Sequence, residues 1–438
     1  MIVFTNIFLE VKFVRESVDL LIVNANEVVT LAGFSNAPAV GPDMEKLGII
    51  KDGGIAIKDG LIVDVDKTDS LKKKYTSDRI IDAKGNVALP GFVDPHTHLV
   101  FSGSREEELT LKLKGATYLD ILKKGGGILK TVRLTRAASK EDLVKDVLSR
   151  LDTIIIHGTT TVEAKTGYGL NTKDELKLLE VLELANKEHP VTVIPTFLGA
   201  HAIPPEYKDD PHSYVNLIIE ETLPKVAEQN IAKFNDVFCE KDVFNIEQSR
   251  KILLRGKELG LTPKVHADEL TQLGGAELAA EVNAISADHL LYASDSGLQA
   301  MKEAGTVGVL LPATSLTIFS EKYANARKMI QMGLPIALAT DFNPNCWTEN
   351  LQFIMTLGCY KMKMTPAEVI TATTINAAHA IGLDDKIGSI EKGKQADIVV
   401  LDIPNHQFIG YRFGINLVKH VIKSGRITVE NGNLSLEI

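Results

Sequence analysis

Two histidines separated by one residue, His96 and His98, are the first side chains in the chain whose types and spacing suggest chemistry. They follow a short apolar segment at 91–94 that is predicted to be a β-strand. In an extended backbone, residues i and i+2 project from the same face, so both imidazoles can converge on one cation. Taken alone, the pair is more typical of two histidines that are hydrogen-bonded at a strand end than of metal ligands.

Further residues of the same chemical kind follow later predicted strands. They are His266 at the end of the strand at 263–267 and Glu269 just after it, His289 at the end of the strand at 284–289, and Asp341 after the strand at 335–340. Three histidines and one aspartate (His96, His98, His266 and Asp341) form a donor set suited to one zinc or iron ion. The sequence predicts a metal centre but does not choose between the two metals.

The segments that position these residues alternate between apolar strands and helical patterns. The predicted strands lie at 91–94, 159–164, 191–198, 232–239, 263–267, 284–289, 306–311 and 335–340. Eight such units in sequence predict a (β/α)8 barrel, whose active site lies where the strands end. Capping boxes are predicted at two helix starts, Thr172 with Glu175 and Thr365 with Glu368.

Both ends of the chain are rich in β-branched residues and short turns, with turn signals at Asp59-Gly60 and Asn431-Gly432. We expect them to pair in space as one small β domain formed by 1–88 and 391–438, beside a barrel formed by 89–390. The apolar segment at 1–13 lacks the basic region of a signal peptide and is predicted to be a strand or packing arm.

The composition is that of an ordinary globular protein, with 438 residues, 45% of them hydrophobic, and a net charge of −9. No long basic run is present, which argues against nucleic acid or an anionic membrane as the main partner. No apolar stretch reaches the roughly 18 residues of a membrane span. Three cysteines are too few for a disulfide framework, and we expect a cytoplasmic protein. The cluster Gly125–Gly127 lacks the flanking pattern of a phosphate-binding loop.

The segment 90–98 (PGFVDPHTH), with later His, His and Asp at strand ends, resembles the amidohydrolase superfamily. The resemblance implies a distorted (β/α)8 barrel beside a β-sandwich built from both chain ends. Many binuclear members carry a carboxylated lysine at the end of the fourth strand. Here that strand ends at Glu240, and Lys165 lies at the end of the second strand, which favours one metal ion per chain.

Other segments narrow the resemblance to the imidazolonepropionases, cyclic-amide hydrolases of histidine degradation. They are Arg105, 125–136 (GGGILKTVRLTR), 163–170 (EAKTGYGL), 196–206 (TFLGAHAIPPE) and 340–345 (TDFNPN). This resemblance implies hydrolysis of the ring amide of 4-imidazolone-5-propanoate to N-formimidoyl-L-glutamate by a homodimer.

The resemblance also implies roles for individual residues. Asp341 would bind the metal and accept a hydrogen bond from its water, Glu269 would transfer a proton to the departing nitrogen, and His289 would hold the carbonyl. The substrate contacts would come from Arg105, paired with the carboxylate tail, and from Tyr168, His201, Glu269, Asn343, Asn345 and Cys346. Many members have glycine where this chain has Asn345.

Each role has an alternative. Glu269 can be an acid at a helix start, His289 a core histidine, Asp341 a turn cap, Arg105 a surface partner of Glu106–Glu108, and Tyr168 a packed ring. For the whole chain, the alternatives are a deaminase of a heterocyclic base and a non-catalytic barrel scaffold. Arg105 with Tyr168 favours a substrate with a carboxylate tail over a neutral heterocycle. The complete set of metal ligands argues against a scaffold.

Overall fold

A computed structural model describes residues 15–116 and 125–435. The segment at 1–13, predicted to be a strand or packing arm, lies outside the described residues.

Strands from both chain ends form one mixed sheet, which we call the end sheet. The N-terminal strands are β1 (Glu16–Ser17), β2 (Leu20–Val29), β3 (Ile49–Lys58), β4 (Leu61–Lys67), β5 (Tyr75–Thr76), β6 (Ile80–Asp82) and β7 (Val87–Pro90). The barrel strands are β8 (Phe92–Thr97), β9 (Thr159–Lys165), β10 (Thr192–Ala200), β11 (Phe234–Cys239), β12 (Thr262–Ala267), β13 (Ser286–His289), β14 (Val307–Leu310) and β15 (Ile336–Leu338). The C-terminal strands are β16 (Ile398–Leu401), β17 (Val418–Lys423), β18 (Arg426–Glu430) and β19 (Asn433–Leu434).

The two ends of the chain meet where β16 pairs antiparallel with β7. From there the end sheet runs in the order β19-β18-β17-β16-β7-β2-β3-β4, with β6 beside β2, while β1 and β5 form a separate pair. Both predicted turns are confirmed, because Asp59 and Gly60, and likewise Asn431 and Gly432, have the positive φ angles of a two-residue hairpin turn. The β domain built from both chain ends is thus confirmed. Its boundary at 88/89, which falls within β7, stays a prediction.

The strands β8 to β15 pair in chain order as a parallel sheet, as the eight predicted segments require. A parallel bridge between Thr97 and Phe342 brings the first strand beside the segment that follows the last one, so the barrel is nearly closed. The predicted distorted (β/α)8 barrel is confirmed. β8 extends to Thr97 with all six residues buried, which places His96 inside the strand.

Most helices cover the outside of the barrel and connect its strands, whereas the first, Thr68–Lys74, packs against β3 and β4 of the end sheet. They are α1 (Thr68–Lys74), α2 (Glu106–Leu113), α3 (Ile128–Ala137), α4 (Lys140–Ile156), α5 (Thr172–Glu188), α6 (Pro211–Leu217), α7 (Leu223–Gln229), α8 (Ile246–Glu258), α9 (Gly275–Glu281), α10 (Asp295–Ala304), α11 (Pro312–Thr317), α12 (Ala326–Met332), α13 (Leu351–Met362), α14 (Pro366–Ala372) and α15 (Ile375–His379). A π-helical turn at Ile218–Thr222 joins α6 to α7, and short 3-10 turns lie at Gly41–Glu45, Pro205–Tyr207 and His406–Phe408. In the part of the chain that the structure describes, none of the helices has the length and apolar character needed to cross a membrane.

One predicted capping box is confirmed and the other is wrong. Thr365 and Glu368 exchange side-chain and backbone hydrogen bonds at the start of α14. At α5 the N-cap is Asn171, because its side chain accepts the amide of Asp174. Glu175 instead turns back and accepts backbone amides of the preceding loop, at Gly167, Gly169 and Leu170.

Candidate metal centre and active site

The four predicted metal ligands meet at the carboxyl ends of β8, β12 and β15. The Oδ1 atom of Asp341 lies 3.5 Å from Nε2 of His96 and 3.4 Å from Nε2 of His98. Nε2 of His98 lies 3.5 Å from Nε2 of His266. Ligand atoms that each lie about 2.1 Å from a tetrahedral zinc ion are about 3.4 Å from one another. The donor atoms of His96, His98 and Asp341 therefore lie close enough together to share one ion, and His266 adjoins this group through His98.

Two buried polar atoms in this cluster lack hydrogen-bond partners within the described ranges of the chain, which indicates that the cluster can bind a cation. Nε2 of His96 and Oδ1 of Asp341 are buried without a hydrogen-bond partner among the described residues. Such atoms are rare in proteins because losing water without a replacement costs free energy. Nδ1 of His96 lies 2.6 Å from Oδ2 of Asp288, which leaves Nε2 as the free lone pair. The side chains present thus fit a divalent metal ion.

The backbone near Asp341 places its carboxylate accurately. Asp341 has a φ of 51°, and its amide donates to the carbonyl of His96. Its second oxygen, Oδ2, accepts the hydroxyl of Thr314. Since the carboxylate faces His96 and His98 and caps no turn, the turn-cap alternative for Asp341 is not what the structure shows.

His289 ends β13 beside the ligand cluster. It has a φ of 77°, an unusual conformation for a non-glycine residue and one that concentrates at functional sites. Its Nε2 lies 3.6 Å from Oε2 of Glu269. One ring nitrogen from each of His289, His96 and His266 lies within 4.8 Å of the other two. His289 therefore borders the metal centre and can serve there either as a substrate contact or as a further ligand.

Glu269 is not at a helix start, because α9 begins only at Gly275. That position is served by the neighbouring Asp268, whose carboxylate accepts four backbone amides between Leu273 and Ala276. Glu269 faces the site, and burial, with the negative charges of Asp341 and Glu240, raises its pKa to about 8. Its carboxyl can therefore hold or release a proton near neutral pH.

Arg105 lies at the barrel mouth, just before α2. Its side chain is 9% exposed, so it is not the surface arginine of the alternative, although it does pair with Glu108, Nη2 to Oε2, at 2.8 Å. Glu108 in turn accepts the amide of Gly127. The Nε of Arg105 is buried and has no partner within 15–116 or 125–435. A donor of this kind is free to bind an anion.

Two further predicted substrate contacts, Tyr168 and His201, lie against the ligand His98. The ring of His201 stacks on that of His98 with centroids 4.8 Å apart, and the Tyr168 ring is 5.9 Å away. Nδ1 of His201 lies 3.1 Å from the carbonyl of Gly167 and donates to it, so Nε2 is left as an acceptor. Burial raises the pKa of Tyr168, which keeps its hydroxyl protonated.

In the loop after β15, two of the predicted substrate contacts, Asn343 and Cys346, form hydrogen bonds with neighbouring residues of the chain. The side-chain Nδ2 of Asn343 donates to the carbonyl of Asp341, and its Oδ1 accepts the backbone amides of Asn345 and Cys346. The thiol of Cys346 is buried and points to the carbonyl of Thr340. Asn345 accepts a hydrogen bond from Lys112 at 2.5 Å. Substrate contacts by Asn343, Asn345 and Cys346 stay predictions.

Comparison with known proteins supplies the family. A family profile described as "Amidohydrolase family" matches residues 257–428. An imidazolonepropionase of Shouchella clausii (strain KSM-K16) is 53% identical over 95% of this chain and 94% of its own length. One from Alkaliphilus metalliredigens (strain QYMF) is 52% identical over 95% and 99%. The chain belongs to the imidazolonepropionase family.

Solved structures extend the likeness in fold beyond the imidazolonepropionases. An adenosine deaminase from Xanthomonas campestris with bound zinc has a TM-score of 0.73 at 18% identity, covering 97% of this chain and 96% of that one. An atrazine chlorohydrolase from Arthrobacter aurescens TC1 complexed with zinc has a TM-score of 0.74 at 15% identity, covering 96% and 97%. At such identities the likeness shows a shared fold.

Three buried charged residues, Lys165, Asp236 and Asp288, lie beneath the candidate metal centre, and the sequence alone did not predict their contacts there. Oδ2 of Asp236 lies 3.0 Å from Nδ1 of His266, within ion-pair distance, and Asp288 forms a hydrogen bond with Nδ1 of His96. A signal was available, because charged residues inside otherwise apolar barrel strands must be paired.

Proposed function

We propose that this chain hydrolyses the ring amide of 4-imidazolone-5-propanoate to N-formimidoyl-L-glutamate. The observation that carries the proposal is the cluster of His96, His98, His266 and Asp341, in which Asp341 lies 3.4–3.5 Å from His96 and His98, and His266 lies 3.5 Å from His98. The 53% identity to an imidazolonepropionase supports the choice of substrate.

We propose one divalent ion per chain, zinc or iron, held by these four side chains. When bound, the ion supplies a water whose pKa is lowered to about 7 and polarises the ring carbonyl. A lysine bridge to a second metal is not supported, because Nζ of Lys165 is 2.8 Å from both Glu163 and Asp236.

The side chains around the ion divide the proton transfers between them. Asp341 accepts a hydrogen bond from the attacking water and orients it. Glu269 takes the proton from that water and delivers it to the departing ring nitrogen, which is a poor leaving group as an anion. Burial holds the pKa of His289 well below its usual range, so its imidazole is neutral and can donate to the developing oxyanion.

The mouth of the barrel would bind the rest of the substrate. Arg105 would pair with the propionate tail through its unpartnered Nε, while Tyr168 and His201 would line the ring. The loop with Asn343, Asn345 and Cys346 would close the opposite side. A carboxylate that enters such a pocket loses its hydration, and only a paired charge offsets that cost. The resemblance that suggests this substrate also suggests a homodimer.

The test is incubation of the purified holoenzyme with 4-imidazolone-5-propanoate. We expect loss of the ring absorbance and stoichiometric N-formimidoyl-L-glutamate, with no release of ammonia. A His266→Ala variant is the control for hydrolysis without the metal centre. Ammonia release would identify a deaminase, and an unchanged substrate would reject the proposal.

A further inference from the structure

A fully buried lysine lies directly beneath the metal ligands. Lys165, the last residue of β9, has its Nζ 2.8 Å from Oε1 of Glu163 and 2.8 Å from Oδ2 of Asp236. The same atom is 3.7 Å from Oδ2 of Asp288. All four side chains have no exposed surface. Burial opposes the charged amine, but the three carboxylates outweigh it and raise the pKa of Lys165, so it is an ammonium ion.

Two of these carboxylates are also the partners of ligand histidines. Oδ2 of Asp288 lies 2.6 Å from Nδ1 of His96, and Oδ2 of Asp236 lies 3.0 Å from Nδ1 of His266. Each oxygen thus faces Lys165 on one side and a ligand imidazole on the other. One ammonium links the partners of ligands that come from two different strands, β8 and β12.

We propose that Lys165 is a positioning residue of the metal centre, which fixes Asp236 and Asp288 so that they hold His266 and His96 in ligand geometry. The inference rests on the metal centre of the proposed function and is independent of the substrate.

Loss of the Lys165 ammonium would change both the charge balance of the two aspartates and the orientation of the ligand imidazoles. Without the ammonium, Asp236 and Asp288 would be two buried negative charges with one neutralising partner fewer, and repulsion would turn them away from each other. An imidazole that loses its carboxylate partner loses both its fixed tautomer and its ring orientation. Metal sites tolerate misplacement of only about 0.5 Å, so affinity for the ion falls.

Among the described barrel strands, a second buried lysine, Lys264, does not lie between the two aspartates. Nζ of Lys264 is 3.4 Å from the carbonyls of Pro95 and Ala380 and 4.0 Å from Asp288. Its closest partners are therefore backbone oxygens, and it does not join the two carboxylates.

The experiment measures metal affinity. The zinc dissociation constant is obtained by titrating the holoenzyme with a chromophoric chelator, and the visible spectrum is recorded after cobalt replaces zinc. We expect Lys165→Met to raise the dissociation constant about 10- to 100-fold, the usual effect of losing a partner of a ligand. The cobalt bands should shift, because the histidines change their orientation.

A second variant separates positioning from charge balance. Glu163 contacts Lys165 and Thr196 but neither ligand histidine, so Lys165→Met with Glu163→Gln removes one charge of each sign. We expect the pair to regain stability and keep the weakened metal binding. If the single variant does not fold, the double variant decides. Metal binding restored to the wild-type level in the double variant would overturn the proposal.

The matched control is Lys423→Met in the end sheet. Lys423 is also buried and lies 2.6 Å from a buried carboxylate, Asp397, but it is in β17 rather than the barrel. It should lose stability without changing the zinc dissociation constant. Tighter zinc binding by Lys165→Met would also overturn the proposal, since it would show that the ammonium only repels the ion. A wild-type enzyme that binds zinc but leaves imidazolone propionate intact would reject the proposed substrate and leave this inference standing.

Discussion

The barrel floor and the barrel mouth are built in different ways. The floor comprises the four proposed ligands with Lys165, Asp236 and Asp288, which lie on strands or directly after them and are at most 3% exposed. Its side chains contact one another across the barrel, as Lys165 of β9 does with Asp236 of β11 and His96 of β8 does with Asp288 of β13. The mouth comprises Arg105, Tyr168, His201 and the loop 343–346, which are held by helix starts and backbone carbonyls.

This difference indicates a division of labour. Strand register fixes the floor to within the tolerance that metal chemistry requires, because parallel strands alternate strictly and pair over several residues. Mouth positions depend instead on loops held by single side chains, such as Gly127 bonded to Glu108 and the Gly167–Leu170 loop bonded to Glu175. The floor would perform the hydrolysis, and the mouth would select the carboxylate-bearing substrate.

The largest effect is expected from the ligands in the floor. Replacing His96, His98, His266 or Asp341 by Ala should abolish bound metal and activity together, because three donors leave the ion weakly held. Metal content by atomic emission and kcat are measured on the same preparations. A variant with full metal and full rate would remove that residue from the ligand set.

Glu269 tests chemistry without metal binding. Glu269→Gln should keep its metal and lower kcat by about 10²–10⁴-fold, the range for a general acid–base group. His289→Ala serves as a comparison, since loss of metal there would identify His289 as a ligand. A wild-type rate for Glu269→Gln would exclude the proton-transfer role.

The pH profile gives an independent view of the same group. Burial raises the pKa of Glu269 from 4.5 to about 8, and a base acts in its deprotonated form. The rate should therefore rise with pH through that pKa, which a bound cation brings below about 8. This ascending limb in kcat/KM should vanish in Glu269→Gln. A limb retained unchanged would assign the pKa to another group.

Arg105 tests the mouth. Removing one partner of a buried charge pair costs about 2–5 kcal/mol, so Arg105→Ala should lose roughly 30- to several-thousand-fold in kcat/KM with its metal content unchanged. Arg105→Lys should recover only part, because lysine lacks the planar fork that meets both carboxylate oxygens. Reduced metal content in Arg105→Ala would mean that floor and mouth are not separate.

The smallest effect is expected outside both regions. Thr365→Ala removes the N-cap of α14 and should lower the free energy of unfolding by about 1 kcal/mol, measured by urea denaturation. Metal content and kcat should not change. A large loss of activity would show that the helix start is coupled to the floor.

The sequence was sufficient to propose the four metal ligands of the floor but not to predict their partners. The spacing of His96 and His98 at a strand end predicts that both face the same side, and the order of eight strands brings His266 and Asp341 to the same end of the barrel. Asp236 and Lys165 could not be assigned, because the carboxylate that faces a given side chain depends on contacts across the barrel between residues far apart in sequence. Strand alternation says which face a side chain takes, not which neighbour it meets.

The mouth was less predictable because loops set it. The positions of the glycines do not predict that the amide of Gly127 donates to Glu108. Nor do they predict that Glu175 accepts amides of the loop beside Tyr168 and does not form a capping box. In both cases a carboxylate is satisfied by backbone amides that only the folded loop brings together. Such contacts depend on the path of the chain, which residue types do not specify.

The most direct test of the division between floor and mouth compares 4-imidazolone-5-propanoate with its tail methyl ester, for the wild type and for Arg105→Ala. The ester keeps the ring amide but carries no tail charge. We predict that the wild type loses at least about 30-fold in kcat/KM with the ester. Arg105→Ala should treat acid and ester alike at unchanged metal content. Equal discrimination between acid and ester by both proteins would contradict the account, because the tail would then be recognised without Arg105.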